Sequence, residues 1–377
     1  MHYDILLPHH RTKSSPRKSS GFWVNENKYM NTRSESNCVS VERLSFPIAR
    51  FRLRFVENAQ RKLLVHKDYL GSAWRGAFGH ALKQTVCITN LPSCDSCSLL
   101  ESCPYPNLFE VRPPLTARKL SRYPRIPVPY VLEPCDPIFD SRNATYNLGL
   151  ILFGSAINNF QYVVRALQIA GQRGLTNLRI KLDLQDVQIE TGNYDDTGWK
   201  TVHTAGKFLT LPTIEKKGAP PNLPSQVRIH LISPLRIRYQ EQLVSATDFV
   251  FRAFAASLLR RISLLTYFFT DKPLEIDFAA TLKIAESIPI VDNQLRWHDW
   301  ARRSSRQDSK LLMGGLVGSL ILNHDELESF FPYLWLGQWT HVGKGCTMGL
   351  GRYAVEPTEA SSSAKYDKKL RNTPMRL

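Results

Sequence analysis

The chain has 377 residues, of which 43% are apolar and 22% charged, which is enough to bury two cores and ordinary for a soluble protein. Its charge balance is not ordinary: 49 Lys and Arg against 33 Asp and Glu leave a net +16, which favours a polyanion such as nucleic acid, through counterion release, over a small apolar partner. No apolar run approaches the ~18 residues that span a membrane, and the N-terminus lacks a secretory pattern, so the expected location is the cytoplasm with no membrane partner.

Residues 1–44, rich in Ser, Asn, Lys and Arg, read as a disordered basic arm, and 358–377 as a disordered tail. From Phe46, apolar Phe51, Leu53 and Phe55 alternate with Arg50, Arg52 and Arg54, the period of a half-buried strand with a basic outer face. Tyr69 to Val86 has helical period, with Leu70, Trp74, Phe78 and Leu82 on one stripe. Beside it run Gly71, Arg75 and Gly79, small residues around one Arg that suit an RNA backbone or a neighbouring domain equally. Strands are expected at Pro127 to Glu133, Tyr146 to Phe153 and Leu178 to Glu190, with a helix from Ala156 to Ala170.

After a Gly/Pro-rich linker around Gly218 to Pro224 the order repeats. Gln226 to Arg238 reads as a strand carrying Arg236, and Thr247 to Phe269 as a helix capped by Thr247. Phe278 to Val291 suggests one or two strands, Gly314 to Leu322 a strand, Asp325 to Leu334 a short helix and Arg352 to Val355 the last strand. The fold class is therefore α+β: tandem ferredoxin-like (RRM-like) domains, 45–217 and 226–357, the first with a Cys-rich insertion at 87–103.

Cys87-x6-Cys94-x2-Cys97-x5-Cys103 supplies four thiolates, enough to complete a tetrahedral structural zinc site, with the Cys-x2-Cys pair as its knuckle. Pro104 directly after the last Cys also occurs beside iron–sulfur clusters, which keeps that cofactor as the alternative. Six of the seven cysteines precede residue 136, which suits metal binding in a reducing compartment better than a disulfide scaffold.

The end of the chain concentrates Gly337, Gly343, Gly345, Gly349 and Gly351 beside His341, Lys344 and Arg352. Such a loop can point free N–H groups at an anion while its cations supply charge for phosphate. It is not a Walker loop, because Gly345 follows Lys344, nor a dinucleotide loop, because a strand follows it. His80 and His341 are the candidates for acid–base work, with Lys344 beside the second. Arg302 and Arg303, following Trp297 and Trp300, combine charge with stacking surfaces for single-stranded RNA. No carboxylate cluster has the spacing of a two-metal nuclease, so no metal is expected in catalysis.

Taken together, Tyr69 to Leu82 (YLGSAWRGAFGHAL), the insertion ending Cys103-Pro104-Tyr105, Pro129 to Pro134 (PYVLEP), Ser233 to Arg236, Arg260 to Leu265 and the terminal glycine loop resemble the CRISPR-associated RAMP superfamily, in particular its endoribonucleases that process precursor CRISPR RNA. The resemblance covers about residues 46–356 and implies two ferredoxin-like domains and metal-independent cleavage of a CRISPR repeat by 2′-hydroxyl attack. It also implies CRISPR repeat RNA and other Cas effector subunits as partners. His80 is the position nearest the catalytic histidine of such enzymes, although here it lies within the helix. The resemblance equally accommodates a non-catalytic subunit that only binds guide RNA. A zinc- or cluster-containing DNA-binding regulator is disfavoured by the lack of a recognition helix.

Overall fold

The computed structural model describes residues 46–358 apart from 58–68, 140–143, 176–179, 192–197, 215, 218–219, 221, 305–308 and 324–326. The expected N-terminal arm, and the tail beyond Thr358, lie outside the described residues.

In the first half the elements run β1 (Phe46–Glu57), α1 (Gly71–Val86), α2 (Pro104–Leu108), β2 (Tyr130–Pro134), β3 (Ile138–Phe139), β4 (Ala144–Phe153), α3 (Phe160–Arg173), β5 (Leu182–Thr191), β6 (Gly198–Thr204), β7 (Lys207–Phe208) and β8 (Lys216–Lys217). The sheet order is β2-β4-β1-β5-β6-β7, and the pairs are antiparallel. Its β2-β4-β1-β5 part, with α1 and α3 as crossovers, is the ferredoxin-like arrangement. The alternation in β1 sets the two faces. Phe51 stacks on Phe160 of α3 at 4.4 Å between centroids and Phe55 packs on Trp74 of α1 at 4.9 Å, while Arg50, Arg52 and Arg54 point to the opposite face.

The second half comprises β9 (Gln226–Leu235), β10 (Arg238–Tyr239), β11 (Gln242–Leu243), α4 (Phe251–Phe269), α5 (Phe278–Ser287), β12 (Ile290–Asn293), β13 (Arg296–Ser304), β14 (Ser309–Asn323), α6 (Phe331–Thr340) and β15 (Tyr353–Pro357). The order β12-β14-β9-β15 repeats the first half strand for strand. Phe254 of α4 meets Tyr353 of β15 edge-to-face at 5.3 Å, and the Tyr353 hydroxyl donates to the Leu334 carbonyl at 2.7 Å. Gly337 of α6 admits that hydroxyl, because a Cβ there would overlap it.

Four local expectations are corrected. Phe278 to Ser287 is a helix, not a strand: its Ala-rich run has no two-residue alternation, and the Asp277 side chain accepts from Ala280 N at 3.0 Å as an N-cap. Residues from Arg296 on form β13, which pairs with β14 in a hairpin from Arg296↔Val317 to Ser304↔Ser309, where only a basic patch was anticipated. The last helix spans Phe331–Thr340, with Pro332 in its first turn, and so runs past the expected end at Leu334: Trp335 to Thr340 are helical rather than part of the glycine loop. Thr247 does not cap α4; that helix begins at Phe251, and Thr247 hydrogen-bonds Ser245 in the preceding turn at 2.9 Å.

Candidate nucleic-acid interface

The glycine segment, expected to be an open anion-binding loop, is mostly built into a clasp between the two sheets. Glu133 of β2 is its centre and only 3% exposed. Opposite it on β4 stands Gly149, where a Cβ would lie 2.7 Å from the carboxylate. The space admits four bonds from two arginines and a histidine. Arg50 donates to Glu133 Oε2 from Nε at 3.1 Å and from Nη2 at 2.9 Å, while His341 Nε2 at 2.9 Å and Arg352 Nε at 3.2 Å reach Oε1. Burial alone would raise the Glu133 pKa, but Arg352, Arg50 and His341 together hold the carboxyl well below the usual range. Burial lowers the His341 pKa despite the bond to Glu133, with Arg352 and Arg261 adding repulsion.

The backbone completes the closure. Tyr69, two residues before α1, donates its hydroxyl to the Met348 carbonyl, and Ser233 of β9 donates to the Gly349 carbonyl at 2.7 Å. Gly351 N donates to Pro234 O at 3.0 Å and Lys344 N to Arg236 O at 2.7 Å. Positive φ is required at Gly349 (87°) and Gly351 (68°), where a Cβ would press on the Leu132 carbonyl and overlap that of Val342 respectively. Arg261 of α4 donates to the Thr340 carbonyl at the end of α6, a cation at a helix C-terminus.

Two sequence-based roles are corrected here. His341 is fully buried between Glu133 and the Leu350 carbonyl, so it fastens the domains and does not face a phosphate. The N–H groups of Val342, Lys344, Met348, Gly349, Leu350 and Gly351 each donate to a carbonyl, so those six are not offered to an anion; Gly343, Gly345, Gly349 and Gly351 take positive φ along its path. The Arg352 side chain, also expected on RNA, is spent on Glu133.

What remains outside is a basic rim. Lys344 is exposed, and its N–H bond to the Arg236 carbonyl sets it beside half-buried Arg236. The Arg236 guanidinium in turn bonds the Gly314 carbonyl on β14. This carries the rim onto the β13–β14 hairpin, where Arg302 and Arg303 stand opposite Leu311 and Lys310; their side chains lie outside the described residues. His298, half-exposed on β13, pairs with Gly315, whose missing Cβ would come 3.2 Å from Arg236 Cγ. Cross-strand partners share a face, so His298 and Arg236 look the same way. Sequence reading passed over His298 because nothing local marks it; only the hairpin register brings it to Arg236.

Other expected residues lie apart from the rim. His80 is exposed on α1, with no hydrogen bond or ion pair among the described residues, about 13 Å along the helix from the Gly71 end that meets the clasp. Arg75 lies over the Phe109 ring at 4.7 Å, and Gly79 makes room for that same ring, so this stripe packs within the first domain. On the outer sheet face Arg52 sits 4.5 Å over Trp199 and bonds Gln188 at 2.5 Å, and Arg54 bonds Asp186 at 2.7 Å.

Cys87 caps the C-terminal end of α1 and Cys103 precedes α2, and both line one pocket with Cys94 and Cys97. All four are free thiols. As placed, no three His, Cys, Asp or Glu groups among the described residues converge as metal ligands.

Among known proteins, residues 229–353 match the family model described as CRISPR-associated endoribonuclease Cas6, and residues 46–215 match one described as an N-terminal domain. No curated protein matches the chain. Similar solved structures include a Cas6 product complex at 15% identity and TM-score 0.49, covering 82% of this chain and 99% of that one. A Thermus thermophilus Cas6 is similar at 14% identity and TM-score 0.45, covering 83% and 99%. A RAMP protein binding different RNA substrates is similar at 9% identity and TM-score 0.40, covering 82% and 99%.

Proposed function

We propose that this chain, which belongs to the Cas6-type proteins of the RAMP superfamily and so serves the processing or binding of CRISPR RNA, is itself the nuclease that cuts the repeat. The observation that carries this reading is the match of the second ferredoxin-like half to an endoribonuclease family. The exposed basic rim beside that half supports it.

The reaction needs no metal step. The 2′-oxygen attacks the adjacent phosphorus as a base takes its proton, the bond to the 5′-oxygen breaks, and that oxygen is protonated. The products are a 2′,3′-cyclic phosphate and a 5′-hydroxyl. Lys344 and Arg236 place positive charge where the phosphorane gathers negative charge, which lowers the barrier most in a pre-set geometry. His298 shares a face with Arg236 and is the base this arrangement favours; His80, exposed on α1, is the alternative in the first domain.

The test is incubation of the purified protein with its repeat RNA in excess chelator. Site-specific cutting that vanishes when the 2′-hydroxyl beside the scissile phosphate is replaced by hydrogen is the expected result. Tight binding without cutting would assign the chain instead to guide-RNA binding within an effector assembly. Replacing His298 by Ala is expected to slow cleavage at least about 100-fold with little loss of binding. A comparable loss for His80→Ala alone would move the chemistry to the first domain.

A further inference from the structure

The Cys-rich insertion has no part in the RNA chemistry proposed above, and its construction calls for a separate explanation. It leaves the core at Cys87, the cap residue of α1, and returns at Cys103, directly before α2. Both flanks are firmly seated: Leu82 and Leu108 are fully buried, and Tyr105 is 7% exposed. Between them the chain has little core of its own, since Ile88 is 80% exposed and Leu91 and Leu99 are more than a third exposed. A loop so poor in buried apolar area is ordered by some other link, and small substructures of this kind use disulfides or metals.

No disulfide supplies the link, because all four cysteines are free. They nevertheless line one pocket, whose remaining wall is apolar or hydroxyl-bearing, with Val86, Leu100, Tyr105 and Pro106 among it and no charged side chain. Cys87 Sγ and Cys97 Sγ flank a single hydroxyl, that of Thr89, at 4.0 and 3.6 Å. Cys97 N donates to the Cys94 carbonyl at 3.3 Å, which turns the Cys-x2-Cys pair back on itself. Bonds of ~2.3 Å to zinc would set the four sulfurs roughly 3.8 Å apart.

We infer that Cys87, Cys94, Cys97 and Cys103 bind one zinc ion as a closed tetrathiolate site that ties the end of α1 to the start of α2. Four protein ligands leave no open position, so the ion holds structure and touches no substrate.

The experiment is metal analysis of the full chain, purified without metal-affinity resin, combined with thiol counting before and after treatment with a strong chelator. About one zinc per chain is expected, with four further thiols becoming reactive once the metal is stripped. The double substitution of Cys94 and Cys97 by Ser is expected to abolish zinc binding and lower the melting temperature. If that variant does not fold, the wild-type zinc content and thiol release decide the matter unaided. Less than about a tenth of an equivalent of any metal, with the four thiols reactive from the outset, would overturn the inference. Iron with a visible absorption band that bleaches on reduction would also overturn it, in favour of a cluster.

Discussion

Two regions only a few residues apart put positive charge to opposite uses. In the clasp, His341, Arg352 and Arg50 converge on Glu133 out of solvent; at the rim, Lys344 stands in water beside Arg236. Burial makes the difference. A charge removed from water must be paired, so the clasp arginines are committed to holding two domains together, whereas exposed Lys344 remains open to meet a phosphate. Lys344 and Arg352 look alike in sequence and serve different ends.

The largest expected effect breaks the clasp at its centre. Glu133→Ala strands two arginines without their buried partner and should cost about 3–5 kcal/mol, read as a lower denaturant midpoint. Gly351→Ala follows: a Cβ would overlap the Val342 carbonyl at a positive φ of 68°, for a loss of about 2 kcal/mol by the same measurement. Lys344→Ala should leave stability within about 0.5 kcal/mol of the parent. Its effect should appear in RNA binding, with the slope of log affinity against log salt reduced by about one phosphate contact. If Lys344→Ala instead unfolds the protein, the distinction between clasp and rim is wrong.

Acid should act on the clasp. Burial lowers the His341 pKa, so the unfolded chain binds that proton more readily, and stability is lost as pH falls below about 6.5. Glu133 is held below its ordinary 4.5, so its contribution is present above that value and lost below it. Both slopes have the same sign. Thermal melts from pH 8 to 4 should show falling stability, with the slope through pH 6 weakened in His341→Ala.

Much of the fold was legible because it rests on local periodicity. The alternation of Phe51, Leu53 and Phe55 with arginines gave β1 and its two faces, and the recurrence of strand and helix gave the tandem order. Phe278 to Ser287 was misread because apolar content alone does not separate a short helix from a strand; the Asp277 cap was the available signal. The site was less legible, for a physical reason. His341 and Glu133 are separated by 208 positions, and the glycine spacing that drew attention to the loop records its path but not the surface it seals. Glu133, the single acid in the strand Tyr130–Pro134, whose residues are all buried, was the sign that something cationic would come to meet it.

The most direct test compares His341→Ala with Lys344→Ala on repeat RNA, with rates normalised to folded protein. The account expects His341→Ala to lose about 2 kcal/mol of stability yet cleave at close to the parental rate below its melting point, while Lys344→Ala stays stable and loses RNA affinity and rate. A fully stable His341→Ala protein that binds RNA and cannot cut it would contradict the account.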